Sequence, residues 1–200
     1  GLDGQHRLDI VLMQLVKLLR DGEVVRMSKR TGKAISLGDL LDEIPVDAAR
    51  WFFNSRPDTQ MDFDLGLAVR EDSENPVYYV QYAHARICSV IRNLAEDGHA
   101  VPDAAAADPA VLATEQEREL IKQLAELPDE LLRSANALDP SRINRYAMEL
   151  AARFHRFYNA CRIKGEADAV LNARLLLADC VRSALATCLN ILGGSAPERM

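Results

Sequence analysis

Six apolar residues, Ile143, Ala147, Leu150, Phe154, Phe157 and Cys161, follow one another at alternating intervals of four and three. That spacing lines them along one stripe of a helix over 140–164, and a strand would scatter them over both of its faces. One amphipathic helix cannot bury such a seam alone, so the chain must supply partners. Two are legible. Over roughly 168–192, Leu171, Leu175, Ala178, Val181, Leu185, Cys188, Leu189 and Leu192 turn to one side, before Gly193-Gly194 signals a C-cap. Over 77–94, Val80, Ala83, Ile87, Val90, Ile91 and Leu94 fall within about 100° of arc. The matching seams predict a helical bundle.

The remaining segments are less regular. Asn75-Pro76 opens the first bundle helix, residues 98–110 read as a Gly/Pro/Ala loop, and an acidic helix is expected near 110–126 with another after Pro128. Upstream, residues 8–19 form an apolar run with β-branched members. It reads as a buried strand turning at Asp21-Gly22 into a hairpin with Val24-Val25, although periodicity alone also permits a helix. Ser36-Leu37-Gly38-Asp39 can open a helix over Leu40–Ile44, and Pro45-Val46-Asp47 starts another that carries Trp51, Phe52 and Phe53 as core residues. "MDFDLG" reads as a short extended piece. The fold class is therefore mainly α, with a small α/β portion ahead of the bundle.

At 48 % hydrophobic and 27 % charged, the chain has the composition of a soluble globular protein of one or two domains. No run of 18 or more apolar residues is present, so no membrane span is expected. The first residues carry no signal-peptide pattern, and a start without Met suggests a piece of something longer. Cys88, Cys161, Cys180 and Cys188 form no Cys-x-x-Cys pair; they read as buried thiols of a reducing cytoplasm, with no metal site. The net charge of −6 is unevenly spread: residues 39–74 sum to −7 and 96–139 to −8, whereas 24–38 sum to +4, 75–95 to +2 and 140–165 to +5. A phosphate backbone responds to such local fields rather than to the total.

The basic stretch at 24–36, VVRMSKRTGKAIS, has the ingredients of a phosphate-binding turn in Lys29, Arg30 and Lys33 around Gly32, with Ser28 and Thr31 as further donors. It is not a P-loop, because Met27 stands where that motif needs Gly and Ala34 where it needs Ser or Thr. A solvated surface loop is the plainer reading of the same residues.

Arg26-Met27-Ser28-Lys29-Arg30 resembles the KMSKS loop of class I aminoacyl-tRNA synthetases, with Arg26 in place of the first lysine and Arg30 in place of the last serine. The blocks VDAARWFF, DFDL, ENPVYYVQYAHARICSV, AARFHRFYNACRI and LGGSAPERM extend the likeness over all 200 residues, to the C-terminal part of the arginyl-tRNA synthetase family. That resemblance implies three parts: residues 1–38 as the end of a Rossmann-like catalytic domain, 39–74 as a connecting helical region, and 75–200 as a DALR anticodon-binding bundle. It implies a longer cytoplasmic parent that uses ATP with magnesium, arginine and the tRNA for arginine, with no membrane and no DNA among its partners. No cofactor is intrinsic to this chain. Lys29 becomes the catalytic candidate, since the family's second lysine stabilises charge on the ATP phosphates. The HIGH signature of the family is absent from these residues, so the chain alone is expected to be inactive.

Candidate RNA contacts follow on two helices. Tyr78, Tyr82 and Arg86 share a face without an acid, suited to stacking on unpaired bases or to packing on a neighbouring helix. Arg153 and Arg156 belong to an arginine stripe with Arg142 and Arg145 in which Glu149 is the one acid, a solvated face or a phosphate contact. Tyr158 borders the apolar seam, and the resemblance implies that it meets Met200 in an anticodon pocket. His84, His99 and His155 show no metal or triad spacing and receive no catalytic role. The rival reading is a free-standing helical RNA- or protein-binding module without catalysis.

Overall fold

The computed structural model describes residues 10–25, 35–55 and 60–200. Strands β1 (Val16–Arg20) and β2 (Glu23–Val24) pair antiparallel, with Leu19 opposite Val24 and Arg20 opposite Glu23. Asp21 and Gly22 between them have φ of 52° and 84°. Two successive positive φ values make the hairpin turn whose twist matches the strands, and Asp-Gly adopts it at little cost. On the other side of β1, β3 (Met61–Asp64) runs parallel with Val16 opposite Met61, giving the order β2-β1-β3. Asp64 ties this sheet together. Its carboxylate accepts from the backbone N–H of Asp21 at 3.0 Å and Gly22 at 2.8 Å, and from Gly66 N–H at 2.8 Å to cap the short helix α3 (Leu65–Ala68). Burial acts to raise the Asp64 pKa, but the backbone donors outweigh it and hold the carboxyl below its ordinary value.

The strand expected over 8–19 begins only at Val16. Ile10, Leu12 and Leu15 are 75 %, 81 % and 85 % exposed, because no described element lies over that apolar run. The hairpin itself and the extended MDFD piece are present as expected.

Helix α1 (Leu37–Glu43) opens on a capping box between Ser36 and Asp39, and α2 (Val46–Ser55) follows Pro45. The bundle then comprises α4 (Pro76–Glu96), α5 (Glu115–Ala125), α6 (Leu127–Ala137), α7 (Ser141–Ala160) and α8 (Asp168–Ile191). The acidic helix expected from 110 starts five residues later. Pro109–Val111 forms a separate 3₁₀ turn, and the Thr114–Glu117 capping box sets the true N-terminus.

α7 is the centre of the packing, in contact with α2, α4, α5, α6 and α8. Ile143, Ala147, Leu150, Phe154 and Phe157 are at most 1 % exposed. The core is continuous with Leu40, Trp51 and Phe63, and Phe52 and Phe53 pack on Phe63 at ring distances of 5.0 and 5.5 Å. One charged pair lies inside it. Glu117, fully buried, accepts from Arg174 Nε at 2.6 Å and from the Thr114 N–H and hydroxyl at 2.8 Å each. Burial pushes the Glu117 pKa up, yet these bonds more than offset it and the carboxyl stays below its ordinary value. No described helix is long and apolar enough to cross a membrane.

Candidate nucleic-acid interface

Asn75 fixes where α4 begins and hence which residues share its outer face. Its Oδ1 accepts from Val77 N–H at 3.3 Å, while its Nδ2 donates to the carbonyls of Ala68 and Arg70 at 3.2 and 2.8 Å. With Val77, Val80, Ala83, Ile87 and Leu94 turned into the core, Tyr78, Tyr82 and Arg86 are left on the outer side, as their spacing predicts.

These side chains form a continuous row. The Tyr78 and Tyr82 rings lie 6.3 Å apart at 10°, and Tyr82 lies 6.3 Å from the His155 ring at 29°. Tyr79 also meets His155, at 5.1 Å. Arg86 donates to the Tyr82 hydroxyl at 3.2 Å, and its guanidinium carbon stands 4.6 Å from the centre of the Tyr158 ring on α7. That distance is within cation–π range.

A cavity of about 480 Å³ opens along this row, lined by Ser73, Tyr78, Tyr79, Tyr82, Arg86, His155 and Asn159. No carboxylate lines it. Its walls offer aromatic faces and hydrogen-bond donors beside one guanidinium, a combination that suits a flat, partly anionic ligand. Tyr158 instead lines a neighbouring cavity of about 290 Å³ with Asn93, Arg162 and Lys164, so the Arg86–Tyr158 pair stands between the two. Burial, helped by the nearby Arg86 charge, lowers the His155 pKa and keeps that ring neutral near pH 7. Burial raises the Tyr79 pKa, partly countered by Arg156.

The arginine stripe differs from its sequence reading. Arg142 makes a bidentate pair with Glu130 at 2.8 to 3.1 Å, and Arg145 lies 3.6 Å from Asp139. Arg153 is held between Glu119 at 2.5 Å and Glu149 at 2.6 Å, with its Nε buried and unpartnered. Acids from α5, α6 and the α6–α7 turn thus neutralise cations that look isolated along the sequence, and Arg153 presents no free charge to a phosphate. Arg156 is exposed and forms no ion pair among the described residues.

Met200 is 54 % exposed and lines neither of these two cavities. Arg26, Met27, Ser28, Lys29 and Arg30 lie outside the described residues. His155 is the residue that the sequence reading missed. Its place three and four positions before Tyr158 and Asn159 puts it on their face, a signal that metal or triad spacing does not test. Among the described residues no group of three or more His, Cys, Asp or Glu is arranged to hold a metal. Cys161 and Cys188 are buried as expected, Cys88 is half-buried, and Cys180 is exposed because it falls on the outer side of α8.

Residues 80–200 match the DALR anticodon binding domain. An arginine–tRNA ligase of Acetivibrio thermocellus is 52 % identical over 195 residues, 97 % of this chain and 35 % of that protein. The arginine–tRNA ligase of Caldanaerobacter subterraneus subsp. tengcongensis is 52 % identical over 201 residues, 100 % of this chain and 36 % of its own length. The chain thus spans about a third of the length of these relatives. Among solved structures, the arginyl-tRNA synthetase of Thermus thermophilus superposes with a TM-score of 0.74 at 25 % identity, over 92 % of this chain and 34 % of that one. A Campylobacter jejuni structure described as an arginyl-tRNA synthetase gives 0.85 at 36 % identity, over 98 % and 42 %.

Proposed function

Because the chain belongs to the DALR anticodon binding domain family, we propose that its α4–α7 face holds unpaired bases of a tRNA, as the C-terminal part of an arginine–tRNA ligase. The observation that carries the reading is the acid-free cavity along Tyr78, Tyr82, Arg86 and His155 in a chain of net charge −6. Aromatic faces stack on unpaired bases, and a guanidinium beside them adds stacking and charge. Arg156, exposed on the same helix as His155, would contact phosphate and position the RNA without reading its sequence. The anticodon-binding family and the arginine–tRNA ligase activity of its relatives support the tRNA for arginine as that RNA.

Within the longer ligase, Arg26 to Arg30 would meet the ATP phosphates, and Lys29 would supply the preorganised cation for arginine activation. ATP and arginine belong to that whole enzyme, and a free-standing interaction module is the less favoured reading.

The direct test is a titration of the 200-residue chain with the tRNA for arginine, a non-cognate tRNA, and the arginine tRNA with a substituted anticodon. The reading expects the first to bind most tightly. Equal affinity for all three would overturn it.

A further inference from the structure

A further cavity, of about 640 Å³, opens where α7 meets α2, β3 and the first residue of α4. Trp51 and Phe52 of α2 line it with aromatic rings, and Met148 of α7 adds a flexible thioether. Asn144, one turn before Met148 on the same helix, also lines it and is 4 % exposed. Its Nδ2 donates to the Trp51 carbonyl at 3.2 Å, whereas its Oδ1 is closed to water and has no partner. No other buried side-chain oxygen among the described residues is left so. An acceptor of that kind is costly to leave empty.

The charged residues around the cavity are not balanced. Asp62 and Glu149 line it with exposed carboxylates, each engaged through one oxygen: Asp62 Oδ1 with Lys17 at 3.8 Å, and Glu149 Oε1 with Arg153 at 2.6 Å. The lining cation, Arg145, is taken up by Asp139 at 3.6 Å and by the Ser141 hydroxyl at 2.9 Å. Open acceptors therefore outnumber open donors.

We propose that this cavity binds a small organic cation carrying N–H donors, an alkyl-guanidinium or alkyl-ammonium compound. With Met148 giving way, an N–H of the head group reaches Asn144 Oδ1, and its charge faces the Asp62 and Glu149 carboxylates. The alkyl body lies against Trp51 and Phe52, whose rings also favour a cation. An anion would be repelled by the same carboxylates, and an apolar guest would leave Asn144 Oδ1 unpaired. The cavity shares no lining residue with that of the aromatic row, and its ligand stands independently of the RNA reading.

Trp51 is the only tryptophan of the chain, so its fluorescence reports occupancy. The test titrates the 200-residue chain with butylguanidinium, butylamine, the uncharged butylurea, and tetramethylammonium, a cation without N–H donors. Butylguanidinium or butylamine should shift the Trp51 emission saturably, and the tighter of the two names the head group. Butylurea and tetramethylammonium should bind at least about tenfold more weakly. Asn144→Leu should weaken the N–H cations about tenfold. Should that variant fail to fold, Asp62→Asn with Glu149→Gln, both at exposed positions, should weaken them about fivefold and leave butylurea unchanged. The proposal is overturned by no saturable shift with either N–H cation, by butylurea or tetramethylammonium binding as tightly, or by unchanged affinity in either folded variant.

Discussion

The guanidinium carbon of Arg86 stands over the ring of Tyr158, 4.6 Å from its centre, so a cation on α4 meets an aromatic on α7. The contact needs the ring face and not the phenol. Tyr158→Phe should therefore leave RNA affinity nearly unchanged, whereas Tyr158→Ala should weaken the arginine tRNA by roughly 5- to 150-fold, the scale of one lost aromatic platform. Fluorescence titrations against cognate and non-cognate tRNA check this. Equal losses for both RNAs would make Tyr158 a packing residue only.

Arg156 and Arg153 should separate cleanly. Arg156→Ala is expected to weaken all tRNAs alike and to reduce the slope of log affinity against log salt by about one. Arg153→Ala should leave that slope unchanged and instead lower stability by about 1–2 kcal/mol, since it strips Glu119 and Glu149 of a shared partner. Salt titrations and urea unfolding of each variant distinguish the two.

Glu117 predicts an acid-side loss of stability. Its folded pKa is depressed below the reference 4.5, so the charged form is favoured by folding. The contribution is fully present above that reference value and is lost as pH falls through the lower folded value. Glu117→Gln should cost roughly 3 kcal/mol at pH 7, because the largely buried Arg174 loses its near carboxylate and keeps only the more exposed Glu166 at 3.5 Å. The gap between wild type and variant should then narrow steadily below about pH 4.5 in urea unfolding curves. A gap that stays constant with pH would remove the ionised pair from the account.

In a protein of the relatives' full length that carries this chain, Lys29→Ala should lower arginine-dependent ATP–pyrophosphate exchange by roughly 10²- to 10³-fold. The 200-residue chain alone should show no such exchange. An unchanged rate in the variant would take Lys29 out of the chemistry.

Native-state hydrogen exchange should be slowest at Ile143–Phe157 and fast over 10–20, where apolar side chains are exposed and the sheet has three short strands. Slow exchange over 10–20 would mean that a partner surface covers that run.

The bundle was legible because its seams are local: Phe154 and Phe157 declare their side of α7 by spacing alone. Ion pairing is not local. Arg153 appears free beside Glu149 in sequence, and Glu119, 34 positions away, changes its role. The same holds for Asp47 and Ser195, hydrogen-bonded at 3.0 Å across a 148-residue separation that no periodicity connects. The strand start at Val16 was misplaced for a different reason. An apolar run states what it would bury but not whether anything is there to bury it.

The central position of α7 also bears on the order in which the protein can take shape during synthesis. Every other long helix of the bundle packs on α7, yet three of them, α4, α5 and α6, precede it in sequence. A ribosome-bound chain that ends at Asp139 has made α4, α5 and α6 with no common surface to close upon. Their apolar sides must wait in water, or in a chaperone, until some twenty further residues emerge. Closure of this bundle thus waits for Ser141–Ala160 to emerge, and pausing just before Ser141 would prolong its most vulnerable state.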